Sequence, residues 1–118
     1  MAQRVFQQSY HVPGTLAANV SIVFTTPFDC QLLHVSAVGS NTNNGLLSIG
    51  TTAAAEAYLA SASIGDANLP AEFDRQDFVG GQYPHIPRGT AVAIALDYDG
   101  AGGTATQNFT LVLTFTEG

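Results

Sequence analysis

Residues 90–118 read TAVAIALDYDGAGGTATQNFTLVLTFTEG, and two alternating segments within this stretch decide the fold class. In the second, Phe109, Leu111, Leu113 and Phe115 fall on one face while Thr110, Thr114 and Thr116 fall on the other, the period of two that marks a half-buried β-strand. Val92, Ile94, Leu96 and Tyr98 repeat the pattern just upstream. Between them Asp97-Tyr98-Asp99-Gly100-Ala101-Gly102-Gly103 supplies residues that tolerate positive φ and tight reversal. The simplest reading pairs the two strands as an antiparallel hairpin with a moderately long loop.

Working back from there, Pro84-His85-Ile86-Pro87-Arg88-Gly89 reads as a rigid turn that launches the hairpin. Residues 66–82 are polar, acidic and punctuated by Gly and Pro, with Phe73, Phe78 and Val79 as apolar anchors. Ala53 to Ala62 has helical propensity but no wide apolar stripe, so a short helical turn or loop is expected, followed by an extended piece from Tyr58 to Ile64. Leu46 to Thr52 reads as a short strand after a clear loop, Gly39 to Gly45.

In Phe28 to Val38 the phase of the alternation changes: Phe28, Cys30 and Leu32 share one face, Leu33, Val35 and Ala37 the other. A bulge near Leu32-Leu33, or a strand buried on both faces, would produce this. Val20, Ile22 and Phe24 alternate with Ser21 and Thr25 in a further strand. Residues 1–12 form either a first strand, with Phe6, Tyr10 and Val12 at even spacing, or an extended arm, and Pro13-Gly14 then punctuates the chain. The total is seven or eight short strands, an all-β antiparallel sandwich of jelly-roll type in a single domain spanning 1–118. Its expected core is Val20, Ile22, Phe24, Val92, Ile94, Leu96, Phe109, Leu111, Leu113 and Phe115.

Composition narrows the function. Charged residues make up 10% of the 118 where about 25% is usual. There is no lysine, the cations are Arg4, Arg75 and Arg88, and the net charge is −6. Such a chain repels phosphate backbones and anionic lipid, so neither nucleic acid nor membrane is expected as a partner. The solvent faces of the strands carry Thr, Ser, Asn, Gln and Ala, which suits either a surface covered by other subunits or a monomer with a neutral polar coat. Cys30 is solitary and the first residues hold no hydrophobic signal core, so synthesis in a reducing cytosol without export is expected. Beside Leu32 and Leu33, Cys30 reads as a small core residue.

Candidate chemistry is sparse. Asp97-Tyr98-Asp99-Gly100 resembles the opening of a calcium loop, but Ala101, Gly102, Gly103 and Thr104 follow where later ligands belong, and a plain turn is expected. Asp66, Glu72, Asp74 and Asp77 surround Arg75, a set that reads as a solvated loop with a local ion pair, a partner contact, or the paired carboxylates of a small hydrolase. His11, His34 and His85 are too scattered for a metal motif. There is no tryptophan and no Gly-x-Ser-x-Gly, so no catalytic residue or cofactor is assigned, and sugar binding would fall to Tyr10, Tyr58, Tyr83 or Tyr98.

Taken together, Leu47-Ser48-Ile49-Gly50-Thr51, Tyr58 to Gly65, Pro70-Ala71-Glu72-Phe73-Asp74, Pro87-Arg88-Gly89-Thr90 and Leu111-Val112-Leu113-Thr114-Phe115 resemble small β-sandwich structural proteins of tailed bacteriophages, of the capsid decoration or cement kind. The resemblance implies a non-enzymatic protein of the virion surface. It would bind the major capsid protein or another virion component as a homo-oligomer, often a trimer about a local symmetry axis. Expected contact residues are Arg4, Phe6 and Tyr10 in the N-terminal segment and Asp74, Arg75 and Asp77 in the acidic loop. The alternative is a lectin-like jelly roll that recognises a glycan or other ligand.

Overall fold

A computed structural model describes residues 4–118. Among the described residues nine strands run in chain order: β1 (Val5–Thr15), β2 (Val20–Thr25), β3 (Cys30–Val38), β4 (Leu46–Thr51), β5 (Leu59–Ser63), β6 (Ala71–Phe73), β7 (His85–Ile86), β8 (Ala91–Asp97) and β9 (Gln107–Glu117). They form two antiparallel sheets. The first has the order β1-β9-β3-β6, with β7 also on β3; the second has the order β2-β8-β4-β5. Because β6 pairs with Val35 to Ala37 and β7 with Cys30 and Gln31, these two short strands share one edge position and the nine strands fill eight ranks.

The pairings β1–β9, β2–β8, β3–β6/β7 and β4–β5 nest inside one another, as in a long hairpin rolled up on itself. The further pairs β3–β9 and β4–β8 close each sheet. This is the jelly roll, and the all-β antiparallel expectation holds.

The expected hairpin between the last two strands does not form, since β8 and β9 lie in different sheets. Residues 98–106 instead cross from one sheet to the other. The crossing is held where Tyr98 N–H donates to Asn19 Oδ1 at 3.1 Å and Thr104 N–H to Asn44 Oδ1 at 2.8 Å. Alternation had identified which face of each strand is dry, and that face looks the same whichever strand lies alongside.

The core gathers Phe109, Leu111, Leu113 and Phe115 of β9, each fully buried, with Val92, Ile94 and Leu96 of β8 and Leu47 and Ile49 of β4. In β3 the register slips between Leu32 and His34, so Cys30 and Leu32 face inward before the slip and Val35 and Ala37 after it. That is a bulge, the first of the two readings the phase change allowed, and Cys30 is a fully buried core side chain. Val20, Ile22 and Phe24 are only half-buried against this core, because β2 is an edge strand with a neighbour on one side.

One loop departs from expectation and another is more ordered than a plain loop. Pro84 to Gly89 is not a pure turn: His85–Ile86 is strand β7, and Pro84 O accepts the N–H of Leu32 at 3.1 Å. Gly39 to Gly45 is a loop as expected, but a tightly bonded one. Half-buried Asn43 donates to the carbonyls of Asn41 and Gly65 at 3.0 and 3.3 Å and accepts from Gly45 N–H at 2.8 Å, while Asn41 donates to Ala105 O and accepts from Gln107 N–H. Asparagine here satisfies backbone groups from three chain segments that would otherwise be stranded at one end of the sandwich.

Candidate interaction surface

The six residues expected to make contacts fall into two groups at opposite edges of the first sheet. Arg4 immediately precedes β1, and Phe6 and Tyr10 lie within it. Asp74, Arg75 and Asp77 lie in the excursion that separates β6 from β7, where two short 3-10 turns span Arg75–Asp77 and Val79–Gly81. With β9 and β3 between them, the two edges are about 14 Å apart. They do not combine into one site.

At the β1 edge the side chains alternate strictly. Phe6, Tyr10 and Val12 are half-buried and face the core, and Val5, Gln7, Ser9 and His11 are exposed. Phe6 stacks on Phe115 with centroids 4.7 Å apart and meets Phe28 edge-on at 5.2 Å; Tyr10 reaches across to Phe24 of β2 at 6.4 Å. Strands β1 and β2 thus face each other along one open side of the sandwich, each an edge of its own sheet. On the outer face, Gln7 Nε2 donates to Thr114 Oγ1 at 3.1 Å and His11 Nδ1 lies 2.9 Å from Thr110 Oγ1. Ala2 and Gln3, part of the expected arm, lie outside the described residues.

Arg4 anchors one end of this edge. Its Nε donates to Glu117 Oε1 at 3.1 Å and its second nitrogen to Oε2, while the guanidinium lies 4.0 Å over the Phe28 ring. Arg4 holds the Glu117 carboxyl below the usual carboxylate range. An open cleft beside the pair is lined by Arg4, Phe28, Asp29, Arg88 and Glu117, so two of the three arginines flank it. No local pattern links Arg4 to Glu117 across 113 positions, and the sequence reading missed both Glu117 and Phe28.

The acidic edge is organised differently from expectation. Arg75 is exposed and makes no ion pair among the described residues. His34 takes that place, with Nε2 3.2 Å from Glu72 Oε1 and 3.9 Å from Asp74 Oδ1. The register explains this: Ser36 lies opposite Glu72, which brings β6 alongside His34, whereas Arg75 sits in a turn beyond the strand. Asp77 caps that turn by accepting Asp74 N–H at 2.9 Å, and Asp66 accepts Asn43 N–H at 3.1 Å in another loop. Glu72 and Asp74 are thus turned toward the His34 ring and Asp77 and Asp66 toward backbone N–H groups, rather than being paired with one another.

The other candidates are also placed. Asp97 Oδ1 accepts Asp99 N–H at 3.0 Å, a local Asx-type turn. Tyr10, Tyr58 and Tyr98 pack against the core and Tyr83 is exposed, so the tyrosines do not line a common surface. Among the described residues, no group of three or more His, Cys, Asp or Glu side chains is arranged to hold a metal ion.

Apart from the Arg4–Glu117 cluster at one end, the strands bordering the open side carry no charge. Residues 5–28, which include both β1 and β2, contain no Asp, Glu, Lys or Arg. Glu72, Asp74 and Asp77 sit at the opposite edge of the first sheet.

The fold has a counterpart in a phage capsid. A chain of the cyanophage Pam1 capsid asymmetric unit matches with a TM-score of 0.56 at 18% identity, over 98% of this chain and 85% of that one. Looser likenesses, each at a TM-score of 0.45, are to the acid-stable capsid of Helicobacter pylori bacteriophage KHP30, at 12% identity over 98% and 91% of the two chains, and to infectious bursal disease virus strain Gx, at 13% over 98% and 32%. No protein-family model matches the sequence, and no curated protein matches it.

Proposed function

We propose that this chain is a non-enzymatic structural protein of a virion, held on the capsid surface as a homo-oligomer and made in the cytoplasm of the host bacterium. The observation that carries the reading is the partition of charge. A lysine-free chain of net charge −6 keeps its two neighbouring edge strands free of charge and puts acidic groups at the opposite edge, as expected where one side meets other subunits and the other meets water. The likeness to a capsid chain supports it. Jelly rolls also serve as lectins and cupins, so the fold alone would not choose.

On this reading the protein binds through broad neutral faces to a major capsid protein or a similar virion component, in a trimer about a local axis, and nucleic acid is not among its partners. Particles purified on a density gradient from the genome that encodes the chain test it. The protein should co-purify in fixed stoichiometry and withstand a high-salt wash, because contacts without charge are not screened. Its absence from particles would overturn the reading, and selective binding on a glycan array would replace it with the ligand-binding alternative.

A further inference from the structure

We propose that the open edge of β1 pairs antiparallel with the same edge of a second copy of this chain, joining two first sheets into one continuous sheet about a two-fold axis at Ser9. This two-fold contact is a separate interface from the three-fold contacts of the virion reading and does not depend on them.

The backbone geometry identifies which groups the edge presents. Glu117 N–H donates to Arg4 O at 2.8 Å, so in β1 the even-numbered residues turn their N–H and C=O groups toward β9. Val5, Gln7, Ser9 and His11 therefore turn theirs toward the open edge. Pro13 has the same parity, so its missing N–H costs the β9 ladder nothing and ends the strip of donors on the outer side. The register against β9 is unbroken from Val5 to Val12.

The other edge of the same sheet shows how this protein guards an edge. There the strand is broken into three-residue β6 and two-residue β7, separated by an excursion and flanked by Glu72, Asp74 and Asp77. Short strands, charges and interruptions are the usual defences against edge-to-edge pairing. β1 has eleven residues and no charged side chain. One edge is protected and the other is left able to pair.

The occupant that fits is a copy of β1 itself. With the axis at Ser9, Gln7 lies opposite His11, Phe6 opposite Val12 and Gln8 opposite Tyr10. Parity is preserved, so edge-facing residues meet edge-facing residues and inward side chains meet inward side chains. The pairing makes roughly eight hydrogen bonds between copies, two for each directly opposed edge-facing pair and one at each proline end. It covers the half-buried Phe6, Tyr10 and Val12 of both copies, and no carboxylate opposes another despite the net charge of −6.

The test uses the purified full chain, with mass measured by sedimentation velocity and native mass spectrometry over a concentration series. The wild type should show a reversible dimer contact. Ser9 is exposed, so Ser9→Lys and Ser9→Glu should keep the fold, checked by thermal melting, while placing like charges directly opposite each other. Each variant alone should bind its own kind at least about tenfold more weakly. Mixing the two should restore pairing as a Lys–Glu heterodimer. A wild type that stays monomeric, or an oligomer whose affinity is unchanged in both variants, overturns the proposal. So does a monomer whose binding to purified particles depends on Ser9, since a different virion protein would then occupy the edge. No particle enters the mass measurement, so failure here is separable from failure of the virion reading.

Discussion

Replacing Phe115 with alanine tests the packing of the open side most directly. The Phe115 ring is fully buried on β9, stacked on Phe6 with 12° between planes, and edge-on to Phe24 at 6.1 Å. It therefore ties β1 and β2 to the centre of the core. Losing a buried phenylalanine costs about 3–5 kcal/mol in transfer energy and cavity formation. Of this, about 0.5–1.5 kcal/mol belongs to the aromatic pair with Phe6. Phe6 is half-buried, so Phe6→Ala should cost about 1.3–3 kcal/mol, roughly half a phenylalanine's burial plus the same pair. Urea denaturation followed by tyrosine fluorescence and circular dichroism measures both, at one fixed protein concentration because self-association raises apparent stability. With a slope of about 2 kcal/mol/M, Phe115→Ala should lower the midpoint by about 2 M. The double variant should be less destabilised than the sum of the singles by about 1 kcal/mol. If Phe115→Ala costs under about 1 kcal/mol, or the two residues show no coupling, β1 does not pack on β9 as described.

Three further outcomes are expected. Asn43→Ala should cost about 1–3 kcal/mol in the same denaturation assay, because it strands half-buried backbone groups of the Gly39 to Gly45 loop; an effect within error would mean water replaces the side chain. Gly50→Ala should destabilise by about 1–3 kcal/mol, since an added Cβ would lie 2.2 Å from Ala54 O and 2.6 Å from the Ala55 carbonyl carbon; a neutral result would show that residues 52–57 move aside freely. Glu117→Gln should remove a pH-dependent contribution. Arg4 depresses the folded carboxyl, so the contribution is present above the ordinary carboxylate range and fades as pH falls through the depressed value; a wild-type advantage that grew on acidification would refute the pairing.

How much of this molecule could be read without its fold differs from residue to residue. Phe109, Leu111, Leu113 and Phe115 declared their burial by period alone, because a side chain's face follows from its own strand's pleat, and the Cys30–Leu32 to Val35–Ala37 phase change narrowed β3 to a bulge or a strand buried on both faces, between which the register against β9 chose. The scarcity of charge and the solitary Cys30 were likewise complete in the composition. Partners were not. β8 and β9 are neighbours in the chain and share no ladder, while β1 and β9 pair from Val5 against Thr116, nearly the whole chain apart. The half-burial of Val20, Ile22 and Phe24 follows from β2 being an edge, and the roles of Arg4, Glu117 and His34 follow from which strands lie beside them. Each strand's alternation is compatible with many neighbours. Only the collective burial of both inner faces, with the buried backbone donors and acceptors satisfied, selects one winding, and that selection is made in three dimensions by contacts far apart in sequence.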